Sequence, residues 1–352
     1  MTLSFSIGKI AGIDIRIHLT LFLVLPILSY FFFSTPYPYG FRNVEPENLR
    51  ILVSIIATFS LFASVLIHEL SHSLLSKKYG VKVKGIVLFV FGGVSLLEDV
   101  PSETEKEVII AAAGPLTSLL VAIFGYIMAK IGIFPVFFTV FGNLNLILAA
   151  FNLIPAFPLD GGRILRGLMA KSVSFVKATK IAASIGKALA VGMGVLGLFT
   201  SSWLILIALF IYIGANEEEK MALVENILKK VKISEIMTRN PICVSPEARS
   251  GEVLEMMLKY KHLGYPVIKN GKLVGIVTLS DLVKSKDAKV EDVMSKEVVT
   301  VEPEDSALKA FRLMNEYRIG RLPVVKKGEL VGIISRTDLM RTLEILGAME
   351  NE

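Results

Sequence analysis

The chain has a single cysteine in 352 residues, Cys243, which rules out an internal disulfide and any C-x-x-C metal site. A lone cysteine of this kind reads as a buried apolar side chain rather than a reactive one. Charge is scarce as well. Asp, Glu, Lys and Arg make up 20% of the residues against 53% hydrophobic ones, and the mean hydropathy is +0.62, too apolar for a soluble globule. A basic face for phosphate backbones is missing too. The net charge of +6 comes entirely from residues 1–215, with 16 Lys and Arg against 10 Asp and Glu, while residues 216–352 hold 22 of each. That excess lies between hydrophobic segments, where it sets orientation in a bilayer, so nucleic acid is excluded as a partner. The N-terminus has no short apolar stretch ending in a small-residue cleavage site, so the first hydrophobic segment is expected to be retained.

What is present divides in two, as the length allows: an apolar part before residue 216, and a charge-balanced tail. The apolar part centres on Ile51 to Leu75, an uncharged run interrupted only by His68-Glu69-Leu70-Ser71-His72. Residues four apart share a helix face, so His68 and His72 can grip one metal ion with Glu69 beside it, the H-E-x-x-H arrangement of a zinc site. The plainer reading is two buried imidazoles and a carboxylate that bond neighbouring helices. Three ionisable groups within five residues at membrane depth demand a compensating partner, because each costs at least about 2.5 kcal/mol there.

Residues 1–16 suggest a short hairpin at the membrane edge, and a first span runs from Ile17 to Phe33 with His18 as an interfacial histidine. After the histidine span, Val81 to Val94 is β-branched and contains Phe91-Gly92-Gly93-Val94. It is either a plain connecting hairpin or an edge strand whose backbone at Gly92 and Gly93 would pair with an extended peptide. Span three, Val108 to Met128, carries Ala111, Ala112, Ala113 and Gly114 for close helix packing. Span four, Phe134 to Ile154, ends in Asn152-Leu153-Ile154-Pro155-Ala156-Phe157-Pro158-Leu159-Asp160-Gly161-Gly162-Arg163, where the prolines break the helix and present Asp160 on irregular backbone. A lone Asp-Gly-Gly is ordinarily a turn. An open zinc site with two histidines still lacks a third protein ligand, and a carboxylate is a usual one.

The last hydrophobic region is one span, Ala188 to Gly214, or two, Ile181 to Phe199 and Trp203 to Gly214. Charge favours two. Six spans with a cytoplasmic N-terminus put twelve Lys and Arg in inner segments against three in outer loops, and an even number keeps the tail in the cytoplasm. Lys187 falls inside span five as drawn, which that boundary accommodates only if the side chain snorkels. Beyond a charged linker, residues 216–232, the tail repeats itself: Met237 to Leu282 aligns without a gap to Met294 to Leu339 at an offset of 57, and two copies would bury the faces that one cannot.

Two resemblances follow. Residues 1–215 resemble the site-2 proteases, intramembrane zinc metalloproteases, through His68 to His72, Phe91-Gly92-Gly93 and Asn152 to Arg163. One departure is Ser71, where the family often has Gly. Residues 233–352 look like tandem CBS domains, about 233–286 and 290–345, through Gly275 to Asp281 and Gly332 to Asp338. The combination resembles the archaeal and bacterial branch of the family. The expected fold is therefore multi-domain: a polytopic α-helical membrane domain with small β-hairpin and edge-strand elements, then an α/β tandem CBS pair. The resemblance implies a zinc-dependent intramembrane endopeptidase that cleaves membrane substrates in or near a transmembrane helix, in regulated intramembrane proteolysis. By the same resemblance Zn2+ is held by His68, His72 and Asp160, Glu69 is the general base, Asn152 is an oxyanion donor, and Gly92 and Gly93 meet the substrate. In the tail, Asp281 and Asp338 are expected near ribose hydroxyls and Thr278 and Ser335 near phosphates of an adenine nucleotide, with a homodimer formed through the CBS domains. The competing reading is a CBS-regulated channel or transporter that uses the histidines as a permeation or proton-relay site.

Overall fold

The computed structural model describes residues 3–90, 92–97, 104–283 and 287–350, so Phe91 and the acidic residues from Glu98 to Glu103 lie outside the described part. The chain forms two compact units, Met1–Lys220 and Met221–Glu352.

The first unit opens with a hairpin of β1 (Ser4–Ile10) and β2 (Ile13–His18). Its two-residue turn, Ala11-Gly12, has φ of 51° and 77°, the paired left-handed geometry that matches strand twist and that glycine makes cheap. Ile17 and His18, expected to open the first span, belong to the strand instead; α1 (Thr20–Ser34) begins after them, and His18 Nδ1 lies 2.9 Å from Thr20 Oγ1. The strand takes these residues because Ile17 pairs with Leu88 of β3 (Val83–Phe89), which runs parallel to β2. Such a non-local pairing leaves no local signal. β4 (Gly92–Leu97) completes a four-stranded sheet in the order β1-β2-β3-β4, so β4 is an edge. Ile13, Ile15, Ile86 and Leu88 bury one face of the sheet against Leu21 and Phe62.

Around this sheet stand α2 (Glu47–Lys78), α3 (Thr104–Lys130), α4 (Pro135–Asn152), the short α5 (Asp160–Met169), α6 (Phe175–Thr200) and α7 (Ser202–Lys230). Of these, α2, α3, α4 and α6 are long and apolar enough to cross a membrane. The other two expected spans correspond to α1, which is shorter, and to the apolar first part of α7 before Asn216. The last hydrophobic region is indeed two helices, parted at Ser201. Small residues bring α3 and α4 together: a Cβ on Gly125 would lie 3.0 Å from Gly142 Cα. Lys187 has a partner: its Nζ donates to Glu219 Oε2 on α7 at 2.6 Å, with both side chains about a quarter exposed.

In the second unit the remainder of α7 is followed by α8 (Ile233–Ile236), β5 (Thr238–Arg239), α9 (Ser250–Tyr260), β6 (Gly264–Lys269), β7 (Lys272–Thr278) and α10 (Leu279–Val283). The second copy supplies α11 (Val290–Val293), α12 (Ala307–Glu316), β8 (Arg321–Lys326), β9 (Glu329–Ser335) and α13 (Arg336–Glu350). The hairpins β6–β7 and β8–β9 turn at Asn270-Gly271 and Lys327-Gly328. Residues 216–230, read as linker, are helical, and Leu228 and Val231 are buried with the second copy.

Candidate metal centre

The helical period of α2 places His68 and His72 one above the other, 3% and 8% exposed, with their Nε2 atoms 3.2 Å apart. Asp160 reaches them from the first residue of α5, where the break at Pro155 and Pro158 ends α4 and redirects the chain. Its Oδ2 lies 3.1 Å from His68 Nε2 and 3.2 Å from His72 Nε2. His72 Nδ1 donates to Ile110 O at 2.7 Å, and His68 Nδ1 lies 2.9 Å from Ser118 Oγ, both on α3. With its proton on Nδ1, each neutral imidazole presents an Nε2 lone pair to the centre. With the Asp160 carboxylate oxygen, three acceptor atoms converge on one point. Two ligands of a tetrahedral zinc ion, with bonds of about 2.0–2.1 Å, are roughly 3.3 Å apart, so the observed spacing fits one.

Space for an ion is made by Gly114 on α3, where a Cβ would fall 2.1 Å from His72 Nε2 and 2.4 Å from His68 Nε2. Glu69 sits beside the cluster and accepts from Ser95 Oγ at 2.8 Å; Ser95 lies on β4 and also contacts Ser73 Oγ at 3.0 Å. Gly93 lets β4 approach, since a Cβ there would be 2.4 Å from Glu69 Cγ. These groups line one cavity of about 500 Å³, shared with Gly92, Asn152, Arg163 and Arg166. Four carboxylates face it, Glu69, Glu107, Asp160 and Glu218, against the two arginines. A divalent cation closes that balance, and an apolar bundle tolerates little residual charge.

The sequence-derived residues His68, Glu69, His72, Gly92, Gly93, Asn152 and Asp160 thus come together. Asn152 lines the cavity, but its Nδ2 donates to Leu148 O at 3.0 Å. The supporting Gly114, Ser118 and Ser95 were not singled out for the site, although Gly114 and Ser118, four apart on an apolar helix, share a face. In the tail, Asp281 Oδ2 accepts from Thr278 N and Oγ1 at 2.9 and 2.6 Å, and Asp338 Oδ2 accepts from Ser335 N and Oγ at 2.8 and 2.6 Å. Each copy builds the same turn at the start of its closing helix.

Residues 56–134 and 127–193 match peptidase family M50, and residues 233–287 and 290–345 match the CBS domain. A zinc metalloprotease of Methanocaldococcus jannaschii is 40% identical over 99% of this chain and 99% of its own length. Among solved structures, the site-2 protease from M. jannaschii is 39% identical, covering 61% of this chain and 95% of that one with a TM-score of 0.46. The crystal structure of CBSX2 in complex with AMP is 28% identical, covering 33% of this chain and 98% of that one with a TM-score of 0.32.

Proposed function

The chain belongs to peptidase family M50, the site-2 zinc metalloproteases, and from that premise we propose that His68, His72 and Asp160 hold its zinc while Glu69 is the general base. It is a membrane metalloendopeptidase with tandem CBS domains. The observation that carries the assignment of residues is the convergence of three acceptor atoms within 3.2 Å of one another beside a carboxylate in one cavity.

Bound zinc supplies a water of lowered pKa and polarises the scissile carbonyl. Glu69 accepts that water's proton and returns it to the leaving amine, and Ser95 orients the carboxylate for this by donating to Oε2. Asn152 becomes an oxyanion donor once its amide leaves Leu148 O. A transmembrane helix hides its carbonyls in its own hydrogen bonds, so a substrate segment must unwind first. The free edge of β4 at Gly92 and Gly93 gives the unwound segment backbone partners next to Glu69. Glu69→Gln, with zinc content unchanged, is expected to abolish cleavage of a transmembrane substrate; cleavage at the unaltered rate sinks the assignment. A permeation site has no use for Asp160 brought across to both imidazoles, so the transporter reading loses its footing.

In the tail, the proposed ligand is an adenine nucleotide that regulates cleavage, its ribose at Asp281 or Asp338 and its phosphates at Thr278 or Ser335. Support comes from the repeated turn and from a CBS relative that was solved with AMP. Titration of AMP and ATP against cleavage, in the full chain and in Asp281→Ala and Asp338→Ala, tests it; a flat response in all three removes the idea. The proposed orientation, supported by the excess of Lys and Arg in the inner segments, has the N-terminus and tail in the cytoplasm, so protease added to right-side-out vesicles should spare the tail. A homodimer through the CBS domains should double the mass measured in detergent, and a monomer at all concentrations would exclude it.

A further inference from the structure

Two arginines stand three residues apart on α5, and their surroundings differ. Arg166 is buried, donates to Glu107 Oε1 through Nε and Nη2 and to Glu218 Oε2 through Nη1, and lies 4.9 and 4.8 Å from the ring centroids of Phe157 and Phe175. Arg163 lines the same cavity, is exposed as a residue, and has no hydrogen bond or ion pair among the described residues. It is within the field of Glu218, Asp160, Glu107 and Glu69. Each of those carboxylates has a nearer partner: Arg166 for Glu107 and Glu218, the imidazoles for Asp160, Ser95 for Glu69. The helix turn that delivers Asp160 to the histidines therefore also holds a free guanidinium over the cavity. Asn152 can join as a neutral donor only after its amide leaves Leu148 O, whereas the Arg163 guanidinium has no such bond to break.

We propose that Arg163 is the anion subsite of the cleavage centre: it takes the scissile carbonyl oxygen as negative charge develops there, and then the new C-terminal carboxylate. As the water oxygen bonds to the carbonyl carbon, the π pair moves onto the carbonyl oxygen and Glu69 takes a proton from the water. When the C–N bond breaks, that pair re-forms the C=O bond, and the amine leaves as an ammonium carrying both water protons. The product's carboxylate has its charge where the tetrahedral species had it, so one guanidinium serves both.

The inference rests on the metalloprotease reading. Arg163→Ala should lower kcat about 100-fold, as loss of an oxyanion donor does, with KM nearly unchanged and zinc content and thermal midpoint as in the unaltered protein. Added methylguanidine should restore part of that loss, and Arg163→Lys should retain part of the rate. A product peptide ending in a free carboxylate should bind Arg163→Ala about tenfold more weakly than the unaltered chain, and its C-terminal amide should bind both alike. Unchanged kcat and product affinity overturn the proposal. So does a rate loss matched by lost zinc and stability without methylguanidine rescue, which would make Arg163 a structural counter-charge. If Glu69→Gln is inactive while Arg163→Ala cleaves normally, the subsite alone falls; if Glu69→Gln itself cleaves normally, the metalloprotease assignment falls with it.

Discussion

Gly114→Ala places one methyl group where the metal centre has room for nothing else. The new Cβ would lie 2.1 Å from His72 Nε2 and 2.4 Å from His68 Nε2, against an ordinary contact of roughly 3.5 Å, so the shortfall exceeds about 1 Å at both nitrogens. A zinc-to-nitrogen bond is itself about 2.0–2.1 Å, which means that the methyl occupies the space toward which both lone pairs point. Relief comes either from swinging the rings, which breaks the bonds to Ser118 and Ile110 O, or from backing α3 away from α2. Either movement spoils the 3.2 Å spacing of the acceptors. Loss of outer partners alone weakens metal sites about 10–100-fold, so the affinity for zinc should fall by about 100-fold or more. The measurement is zinc per chain by elemental analysis after dialysis against a weak chelator, beside helicity and cleavage of a transmembrane substrate. Gly192→Ala on α6, whose Cβ meets nothing within 4 Å, is the control and should leave zinc and cleavage intact. A Gly114→Ala protein with full helicity, one zinc per chain and unaltered cleavage would refute the reasoning.

Gly93→Ala crowds Glu69 Cγ at 2.4 Å and pushes the carboxylate off Ser95, so cleavage should fall about 10–100-fold with zinc content unchanged; equal loss of zinc would mean that β4 positions the whole centre. Lys187→Met leaves Glu219 partly buried without its cation and should cost about 1–2 kcal/mol, less than a fully buried pair because both side chains are about a quarter exposed. Thermal unfolding in detergent reads this loss, and Lys187→Met with Glu219→Gln should recover part of it; no recovery rules out the stranded charge as the cause. Burial pushes the Cys243 thiol up, so its thiolate is scarcer near pH 8 than that of a free cysteine, and iodoacetamide should alkylate it more slowly until the pH is raised. Labelling as fast as a free thiol would contradict that environment.

The parts of the site that were legible in the sequence are those set by local period or by chemistry. His68 and His72 follow from four-residue helical spacing; a third, carboxylate ligand follows from the count of an open zinc site, and the family resemblance implies that it is Asp160. The tail's two copies follow from a constant offset. What escaped depends on contacts between distant elements. Gly114 reads as one more small residue for helix packing until α3 is laid against α2, and Ser95, just past the Val81 to Val94 segment, carries no signal until β4 meets Glu69. Lys187 appeared to need snorkelling because its partner, Glu219, lies on the next helix beyond an apolar stretch. The start of the first span was misplaced for the same reason, since Ile17 is as apolar as the helix that follows and only its pairing with Leu88 makes it strand. Asn152 has the right neighbourhood, and its bond to Leu148 O is the four-residue contact that helical spacing opens to a side-chain amide.

The repeat also conceals how the tail closes. The repeat predicts that two copies bury the faces that one cannot, and the structure shows how: each copy's lead-in serves the other. Ile233 N and Ser234 N donate to Asp305 O and Pro303 O, and fifty-seven residues on, Val290 N and Glu291 N donate to Ala248 O and Pro246 O. β5 pairs with β9, while Ser295 bridges to Ile276 on β7. A Cβ on Gly332 would lie 2.7 Å from Met237 Sδ, and one on Gly275 would lie 2.5 Å from Met294 Sδ. The buried set around Val324 and Ile334 accordingly includes Leu228, Val231 and Ile233, which precede the first copy. Neither copy can complete its core without residues from outside its own repeat, so the pair is the folding unit and a chain cut at residue 233 loses two core side chains. The strand that closes each copy is thus anchored by the other's lead-in, so a displacement in one copy bears on the backbone of the other.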